Sequence, residues 1–382
     1  MEKTQNILIV AGEASGDLHA SCLVKAIKEI SPSINFFGLG GAALKKEGVH
    51  LYSNIVDLAV VGFSEVLKNL KKFIDIFNGL LKEVDKVRPD LAILVDYPGF
   101  NLRLAAELKK RNIPVIYYIS PQVCAWGEKR IETIKKVINR MLVVFKFEEG
   151  LYRNHNVPVS FVGHPLLDIV RPKVAKEQLY KEFGLDLNNP TFALLPGSRE
   201  KEVKTLLPIM LDTARLIHKK LGNNIQFLIL RSPTVKEDIF YDIIKRYRIP
   251  AHLVSDRTYD SLSASDFALV ASGTATLETA ILGIPMVIVY KVSFLTWAYL
   301  RMKIRIPYIG LVNVVRGQKF VEEFIQYNAS PKRIADYIAT TFKDRQRLEQ
   351  IKEGLARVTA SLGEKGASPR AAQIITNFLE KK

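Results

Sequence analysis

The sequence predicts two doubly wound α/β domains in tandem, followed by a helical C-terminal tail. Short β-branched runs alternate with helical-period segments in the first half of the chain, and the same alternation restarts after a segment rich in turn residues. Such alternation is typical of a parallel sheet covered by helices on both faces. The length of 382 residues suits two domains and is too great for one ordinary core.

The predicted strands form two series. They cover residues 6–10, 35–37, 91–95 and 115–119, and then 191–195, 226–230, 267–270 and 286–289. Turn residues interrupt the pattern over 163–172, so we place the domain boundary there. The predicted units are 1–165, 166–340 and a tail, 341–382, that packs on the first domain or on a partner subunit. We expect both sheets to direct their functional loops to one cleft.

Composition limits the classes of function. The chain is 48% hydrophobic and 25% charged, as in globular proteins. Its cysteines, Cys22 and Cys124, have no metal-ligand spacing, so we predict neither a structural metal nor a disulfide scaffold. Neither a signal-peptide pattern nor a membrane-spanning run is found. The net charge of +16 calls for a polyanionic neighbour: nucleic acid, an anionic membrane face or a phosphorylated substrate.

Small and hydroxyl residues follow the predicted strand 267–270, in the run Ser272-Gly273-Thr274-Ala275-Thr276. A glycine allows a ligand to approach the backbone, and hydroxyl groups with the first N–H groups of a helix can bind phosphate. The run therefore predicts a diphosphate site. The alternative is ordinary helix capping, for which three hydroxyl groups are more than is needed.

Two other strands are followed by candidate loops. Arg199 opens a helix after strand 191–195 and is predicted to pair with a phosphate; a surface pair with Glu200 or Glu202 is the alternative. The run Gly12-Glu13-Ala14-Ser15-Gly16-Asp17 follows the first strand without the lysine of an ATP-binding loop. We expect its glycines to admit substrate to the backbone, although a tight turn explains them nearly as well.

The run Gly38-Leu39-Gly40-Gly41-Ala42-Ala43 fits the G-x-G-x-x-A dinucleotide pattern. It follows the second strand rather than the first, which argues against a dinucleotide site. Asp96 ends strand 91–95, where a general base belongs, and stabilisation of the next turn is the alternative. Glu13 and His19 are the other titratable candidates nearby.

A helical-period segment combines apolar and basic residues. Lys68, Lys71 and Lys72 lie among its apolar positions, which suits either an interfacial helix or a core helix with a basic outer face. Its first apolar residues are Phe63, Val66, Leu67, Leu70, Phe73 and Ile74.

Several motifs, taken in order, resemble the lipid-A-disaccharide synthases over nearly the whole chain. They are Gly12-Glu13-Ala14-Ser15-Gly16-Asp17, Asp96-Tyr97-Pro98-Gly99-Phe100-Asn101, Ser120-Pro121-Gln122-Val123-Cys124-Ala125-Trp126, Phe161-Val162-Gly163-His164-Pro165, Leu195-Pro196-Gly197-Ser198-Arg199 and Ala271-Ser272-Gly273-Thr274-Ala275-Thr276-Leu277-Glu278. The resemblance implies an inverting glycosyltransferase of the two-domain B fold, without metal or other cofactor, on the inner face of the Gram-negative inner membrane. It would join UDP-2,3-diacylglucosamine to 2,3-diacylglucosamine 1-phosphate in a β(1→6) bond and release UDP.

The resemblance also assigns residues. Asp96 would be the catalytic base, and Arg199 would stabilise the charge growing on UDP. The UDP-sugar site would include Gly12, Ser15, Gly16, Arg199, Ser272, Gly273, Thr274, Glu278 and Asn313, with Glu278 as a ribose partner. The segment from Phe63 to Ile74 would contact the membrane or acyl chains. The family also implies homodimers that exchange C-terminal segments.

Two other interpretations compete with this one. Another nucleotide-sugar enzyme of the same fold, such as a muramyl-lipid glucosaminyltransferase or a UDP-sugar 2-epimerase, shares the architecture, but the full order of motifs argues against it. A basic nucleic-acid-binding protein would explain the charge. The basic residues are dispersed and no nucleic-acid-binding motif accompanies them, so no nucleic-acid partner is predicted.

Overall fold

A computed structural model of the chain provides the fold. The structure describes residues 5–55, 70–121, 129–247, 249–293, 297 and 307–381. The chain divides into two compact units, Met1–Pro165 with Leu362–Lys382 and Leu166–Ser361. The division therefore falls inside the turn-rich segment 163–172. The segment predicted as a single tail, 341–382, is split between the two units rather than forming a separate one.

The first unit contains a parallel sheet of seven strands in the order β3-β2-β1-β4-β5-β6-β7. Its strands are β1 (Asn6–Ala11), β2 (Asn35–Gly40), β3 (His50–Asn54), β4 (Leu91–Val95), β5 (Val115–Tyr118), β6 (Arg140–Val143) and β7 (Val159–Phe161). Its helices up to this point are α1 (Ala14–Ile30), α2 (Ala42–Lys46), α3 (Leu70–Val87), α4 (Pro98–Lys110), α5 (Lys129–Val137) and α6 (Lys146–Asn154).

The second unit contains a parallel sheet of six strands in the order β10-β9-β8-β11-β12-β13. Its strands are β8 (Thr191–Leu195), β9 (Gln226–Leu230), β10 (Ala251–Val254), β11 (Phe267–Ala271), β12 (Met286–Tyr290) and β13 (Glu323–Ile325). Its helices are α7 (Leu166–Ile169), α8 (Lys176–Phe183), α9 (Glu200–Leu221), α10 (Glu237–Ile244), α11 (Thr258–Ser263), α12 (Ala275–Ile281), α13 (Leu311–Arg316), α14 (Pro331–Lys343) and α15 (Arg345–Ser361), with a short 3₁₀ helix at Gln326–Asn328.

The central strands of both sheets are almost wholly apolar because they are buried. All five residues of β4 and all five of β11 are buried, because helices cover both faces of each sheet. In the first unit, alternate residues such as Leu8 and Val10 face a core that α3, α4 and α5 complete. The predicted fold class, two parallel sheets with covering helices and a helical C-terminal segment, is confirmed.

The end of the chain returns to the first unit as α16 (Ala367–Glu380). This helix packs against α1, and Ile375 is completely buried. Arg370 fixes the return, since its guanidinium donates to the carbonyl oxygen of Val162 at 2.9 Å, just after β7. The last 21 residues therefore belong to the N-terminal unit, and the buried face of α16 is part of its core.

We expect Ile375→Ala to lower the free energy of unfolding of the N-terminal unit by about 2–5 kcal/mol, because it leaves a cavity between α16 and α1. Gln373→Ala is the matched control, since this side chain is exposed on the same helix. Urea unfolding of the full chain measures both. Equal stability of the two variants would contradict a core role for α16.

Candidate active site

Both sheets have the strand order of a Rossmann fold. In each, the chain runs outward in one direction from β1 or β8 and then returns to the neighbouring strand, β4 or β11, to run in the other direction. Ligands of open α/β sheets bind at such a switch point, outside the carboxyl ends of the strands. The candidate loops found in the sequence follow these four strands, so each unit has its candidate residues at its own switch point.

Asp96 directly follows β4 and is half-buried. Its φ angle is 46° and that of Tyr97 is 48°, so both lie in the left-handed region. A non-glycine residue held there costs about 1–3 kcal/mol, and such residues cluster at functional sites. The chain therefore turns sharply at the residue that the sequence singled out as a base.

Packing explains one of the two glycines after β1. A Cβ added to Gly12 would lie 2.3 Å from the ring of Tyr97, so that ring fills the space predicted for substrate at Gly12. A Cβ on Gly16 would meet Ala11 and Val95 at 3.9 Å, an ordinary contact distance, so packing does not require a glycine there. Substrate contact at Gly16 and at Ser15, which is half-buried in the first turn of α1, stays a prediction.

The G-x-G-x-x-A run is occupied by the protein itself. Asp17 is buried, and its carboxylate accepts hydrogen bonds from the backbone N–H groups of Gly41 at 2.7 Å, Ala43 at 2.9 Å and Leu44 at 3.3 Å. These N–H groups are the ones that a bound diphosphate would use. An internal carboxylate at the start of α2 therefore replaces the ligand, in agreement with the argument against a dinucleotide site.

Arg199 caps the start of α9, with its side chain 42% exposed. Its guanidinium lies 3.3 Å from one carboxylate oxygen of Glu202, and the other oxygen accepts the Ser198 N–H at 3.1 Å. The alternative of a surface pair with Glu202 is thus present in the structure. A half-exposed pair of this kind is worth only about 0–1 kcal/mol, so a phosphate could replace Glu202 at little cost.

The loop after β11 is more open. Gly273 has a φ of 153°, and, apart from its chain neighbours, no atom of the described residues lies within 4 Å of the position that a Cβ would occupy. Two of the three hydroxyl groups bond internally: Ser272 donates to the carbonyl oxygen of Ile309 at 2.9 Å, and Thr276 donates to that of Gly273 at 2.8 Å. The expectation that all three hydroxyl groups face a ligand is therefore wrong for Thr276, which is also fully buried.

Glu278 lies one turn further along α12 and is half-buried. Burial raises the pKa of Glu278 to about 7, and a hydrogen bond from the Tyr259 hydroxyl at 3.3 Å opposes this shift. Burial and the neighbouring Glu278 in turn raise the pKa of Tyr259, so the phenol stays a donor. A further hydroxyl donor to Glu278 would stabilise its ionised carboxylate form.

Asn313, the other predicted nucleotide-side residue, is completely buried. Its amide nitrogen donates to Val321 and Glu323, and its amide oxygen accepts from the N–H groups of Phe320 and Val321. Its hydrogen-bonding capacity is thus used within the protein, which contradicts direct contact with a nucleotide in this conformation.

Glu323 is a buried carboxylate that the sequence reasoning missed. It accepts the backbone N–H groups of Ile309 and Gly310, each at 3.0 Å, in addition to the amide of Asn313. Ile309 in turn accepts the hydroxyl of Ser272. Asn313 and Glu323 therefore support the loop after β11 from behind. No local sequence pattern predicts this arrangement, because the hydrogen-bonding partners come from separate segments of the chain.

The sequence reasoning also missed a buried carboxyl group in the first unit. Glu148 at the start of α6 accepts the hydroxyl of Ser120 and the N–H of Phe145. Burial raises the pKa of Glu148 to about 8, and the charge of Asp96 adds to the increase. A protonated Glu148 adds no second negative charge beside Asp96.

His19 and His164 form another buried pair, with ring centroids 6.0 Å apart in an edge-to-face arrangement. Burial lowers the pKa of His19 to about 4 and that of His164 to about 3, with the neighbouring imidazole contributing to the latter. Both imidazoles are therefore neutral at physiological pH. His19, a titratable candidate in the sequence, has the environment of a core residue.

The proposed membrane segment is only partly described. Phe63, Val66 and Leu67 lie outside the described residues, as does the side chain of Leu70. Phe73 packs against the core, whereas Ile74 is 49% exposed beside exposed lysines. Within the described part of the chain, no helix combines the length and apolar character needed to cross a bilayer.

Solved structures of nucleotide-sugar enzymes share this two-sheet architecture. The UDP-GlcNAc 2-epimerase from Neisseria meningitidis, solved with UDP-GlcNAc, has a TM-score of 0.65 and 14% identity, with 99% of this chain and 100% of that chain covered. MurG of Acinetobacter baumannii gives 0.56 and 14%, with 99% and 100% covered. At this identity the likeness establishes the fold, which is the glycosyltransferase B fold.

Sequence comparison is more specific. The sequence model of the Lipid-A-disaccharide synthetase family matches residues 7–378. The Lipid-A-disaccharide synthase of Syntrophus aciditrophicus is 46% identical over 376 residues, with 98% of both chains covered. That of Geobacter sulfurreducens is 40% identical over 379 residues, with 99% of this chain and 98% of the relative covered.

The protein is thus a glycosyltransferase of the two-domain B fold. It belongs to the lipid-A-disaccharide synthetase family and is an enzyme of lipid A disaccharide synthesis. Epimerases share the fold, but the family match covers nearly the whole chain, so the predicted family is confirmed.

The buried histidines generate a pH prediction. An imidazole titrates near 6.5 in the unfolded chain, so below that pH the unfolded state binds protons that the folded state excludes. We expect each imidazole to lower the unfolding free energy by about 2 kcal/mol between about pH 7.5 and pH 5, while Glu148 and Glu278, whose pKa values are raised by burial, act in the opposite direction over the same range.

Urea unfolding of wild type and His19→Phe at both pH values isolates the contribution of His19, because the carboxyl groups are common to both proteins. The change in unfolding free energy from pH 7.5 to pH 5 should favour the variant by about 2 kcal/mol relative to wild type. The exposed His252→Gln variant is the control for loss of an imidazole. A wild-type pH dependence in His19→Phe would contradict burial of a neutral His19.

Proposed function

We propose that the enzyme transfers the sugar of UDP-2,3-diacylglucosamine to the 6-hydroxyl of 2,3-diacylglucosamine 1-phosphate, forming a β(1→6) bond and releasing UDP. The single observation that carries the proposal is the strand order, which puts Asp96 at the switch point of one sheet and the Ser272 loop with Arg199 at that of the other. Membership of the family supplies the substrate class.

In the proposed reaction, Asp96 takes the proton of the 6-hydroxyl as its oxygen attacks the anomeric carbon. The bond from that carbon to the UDP oxygen breaks on the opposite face, so the configuration inverts. A base within hydrogen-bonding reach contributes about 10²–10⁴-fold to such a step. The half-buried position of Asp96 suits this role, because a base must meet its substrate while being shielded from bulk water.

The donor side stabilises the leaving group in this proposal. Arg199 exchanges its pairing with Glu202 for the diphosphate, while the loop at Ser272, Gly273 and Thr274 provides an open backbone and the hydroxyl group of Thr274. Preorganised donors of this kind act where negative charge develops. Glu278 accepts the ribose hydroxyls, which favour its ionised form.

The other residues predicted for the UDP-sugar site have different roles in this proposal. Gly12 allows the close packing of Tyr97, and Asn313 supports the Ser272 loop through Glu323 and Ile309. Gly16 and Ser15, both in the first turn of α1, are retained as contacts to substrate.

We expect Asp96→Asn to lower kcat by at least about 10²-fold, because the amide cannot take the proton. UDP binding, measured by calorimetry, should persist, since its proposed site is in the other unit. Disaccharide formation from both lipid substrates gives the rate. Asp85→Asn, which removes an exposed carboxylate paired with Arg111, is the control and should keep normal activity.

Near-normal turnover in Asp96→Asn would mean that Asp96 stabilises the turn and is not the catalytic base. Absence of disaccharide formation by the folded wild-type protein, with both lipids supplied, would overturn the proposed reaction itself.

We also propose that the enzyme docks peripherally on the anionic inner face of the inner membrane through the segment from Phe63 to Ile74, of which the structure describes the start of α3. The support is the exposed Ile74 beside Lys71 and Lys72, together with a net charge of +16. An apolar side chain and neighbouring lysines are the two components of interfacial binding to anionic lipid.

We expect Ile74→Asp to weaken binding to vesicles of phosphatidylglycerol and phosphatidylethanolamine by about tenfold, because it replaces inserted apolar surface with a repelled charge. Cosedimentation measures the bound fraction. Leu187→Asp, at a residue 51% exposed in the second unit, is the matched control. Equal binding of the two variants would argue against docking through α3.

A homodimer with exchanged C-terminal segments remains a proposal from the family resemblance. Within this chain α16 packs against its own α1, and the same apolar contacts would serve a segment from a partner.

A further inference from the structure

The turn at the proposed base is fixed by two side chains that the mechanism has not used. Asp96 and Tyr97 are the only two consecutive non-glycine residues with positive φ in the described part of the chain. Such a conformation persists only where its surroundings hold it in place. The restraint acts on the carbonyl group between the two residues.

The carbonyl oxygen of Asp96 accepts two hydrogen bonds. One comes from the amide nitrogen of Asn101 at 2.7 Å, and the other comes from the hydroxyl of Tyr117. The same Asn101 nitrogen also donates to the carbonyl oxygen of Val95 at 3.1 Å. On the other side, the N–H of Asp96 donates to Tyr118 at 3.1 Å. Hydrogen bonds with α4 and β5 thus fix the peptide groups on both sides of Asp96.

Both donors are suited to a permanent restraint. Asn101 is completely inaccessible to solvent, and so is Tyr117. Burial, with the charge of Asp96 as a second cause, raises the pKa of Tyr117 well above its usual value, so its hydroxyl stays protonated. Water cannot compete with either hydrogen bond, because neither donor reaches the surface.

The ring of Tyr97 restrains the next residue. It lies over Gly12 and stacks on Phe100, with centroids 6.0 Å apart. Rotation of the peptide between Asp96 and Tyr97 would therefore have to displace a packed ring as well as break two hydrogen bonds. The direction of the Asp96 side chain follows from the orientation of this peptide.

We propose that Asn101 and Tyr117 are positioning residues, which hold the backbone of Asp96 so that its carboxylate is directed at the acceptor hydroxyl. This inference rests on the proposed function of Asp96. Neither residue touches substrate; both act through the base. A small error in the direction of a base lowers the rate steeply, because reacting groups must be aligned to within a fraction of an ångström.

The test is Tyr117→Phe, which removes one hydroxyl group. We expect kcat per bound UDP to fall about 10- to 100-fold, while the KM of the UDP-sugar and the stoichiometry of UDP binding stay within twofold of wild type. Calorimetric titration with UDP counts the folded second units, and the amplitude of urea unfolding of the N-terminal unit counts the folded first units, so loss of folded enzyme is separated from loss of rate.

Tyr180→Phe is the matched control. Tyr180 is buried in the second unit, and its hydroxyl donates to Thr191 at 2.7 Å and to the carbonyl of Ala264 at 3.2 Å. This variant likewise loses the hydrogen bonding of one buried tyrosine hydroxyl, away from the Asp96 turn, and should keep the wild-type kcat per bound UDP.

Asn101→Leu is the second variant, of similar volume but without the amide donor, and it should show the same loss of kcat at unchanged KM. A wild-type kcat per bound UDP in either folded variant, or an equal loss in Tyr180→Phe, would overturn the positioning role. If instead Asp96→Asn retains near-normal turnover, the assignment of the base fails, and the two failures are thereby distinguished.

Discussion

Everything at the proposed active site depends on one constraint of the parallel sheets. Two neighbouring central strands, β1 with β4 and β8 with β11, begin series that run in opposite directions. Because crossovers are right-handed, the helices that follow the two strands must lie on opposite faces of the sheet. A crevice then opens at the carboxyl ends of these strands. Asp96, Arg199 and the Ser272 loop are functional candidates because they stand beside such a crevice.

Not every glycine-rich loop at a strand end becomes a binding site. Asp17 fills the start of α2 with its own carboxylate, and Glu202 occupies the start of α9 together with Arg199. The difference between the two is exposure, because Asp17 is buried with three N–H donors while the Glu202 pair faces solvent. A buried, fully bonded carboxylate is costly to displace, whereas an exposed pair is readily exchanged. At Gly273 none of the described residues beyond its chain neighbours fills the space that a Cβ would occupy.

Burial in the first unit governs the charge state around Asp96. The pKa of Glu148 is raised to about 8 and those of His19 and His164 are lowered to about 4 and 3, because the folded chain removes all three groups from water. Such groups are held neutral near pH 7, at a cost in stability that the surrounding core must offset. Asp96, which is half-buried, keeps access to substrate at the carboxyl end of β4.

The sequence by itself determined the central strands, such as Leu91–Val95 and Thr191–Leu195, because burial on both faces demands a continuous apolar run. It also determined the family and the motifs at the strand ends. The tertiary structure decided the short peripheral strands: β3 alternates between half-buried and exposed residues, and β13 has three residues beginning with Glu323. It alone decided which loops are open, that Asn313 supports Ser272 from behind, and that Asn101 and Tyr117 hold the Asp96 turn, since these contacts join segments whose proximity follows from strand order.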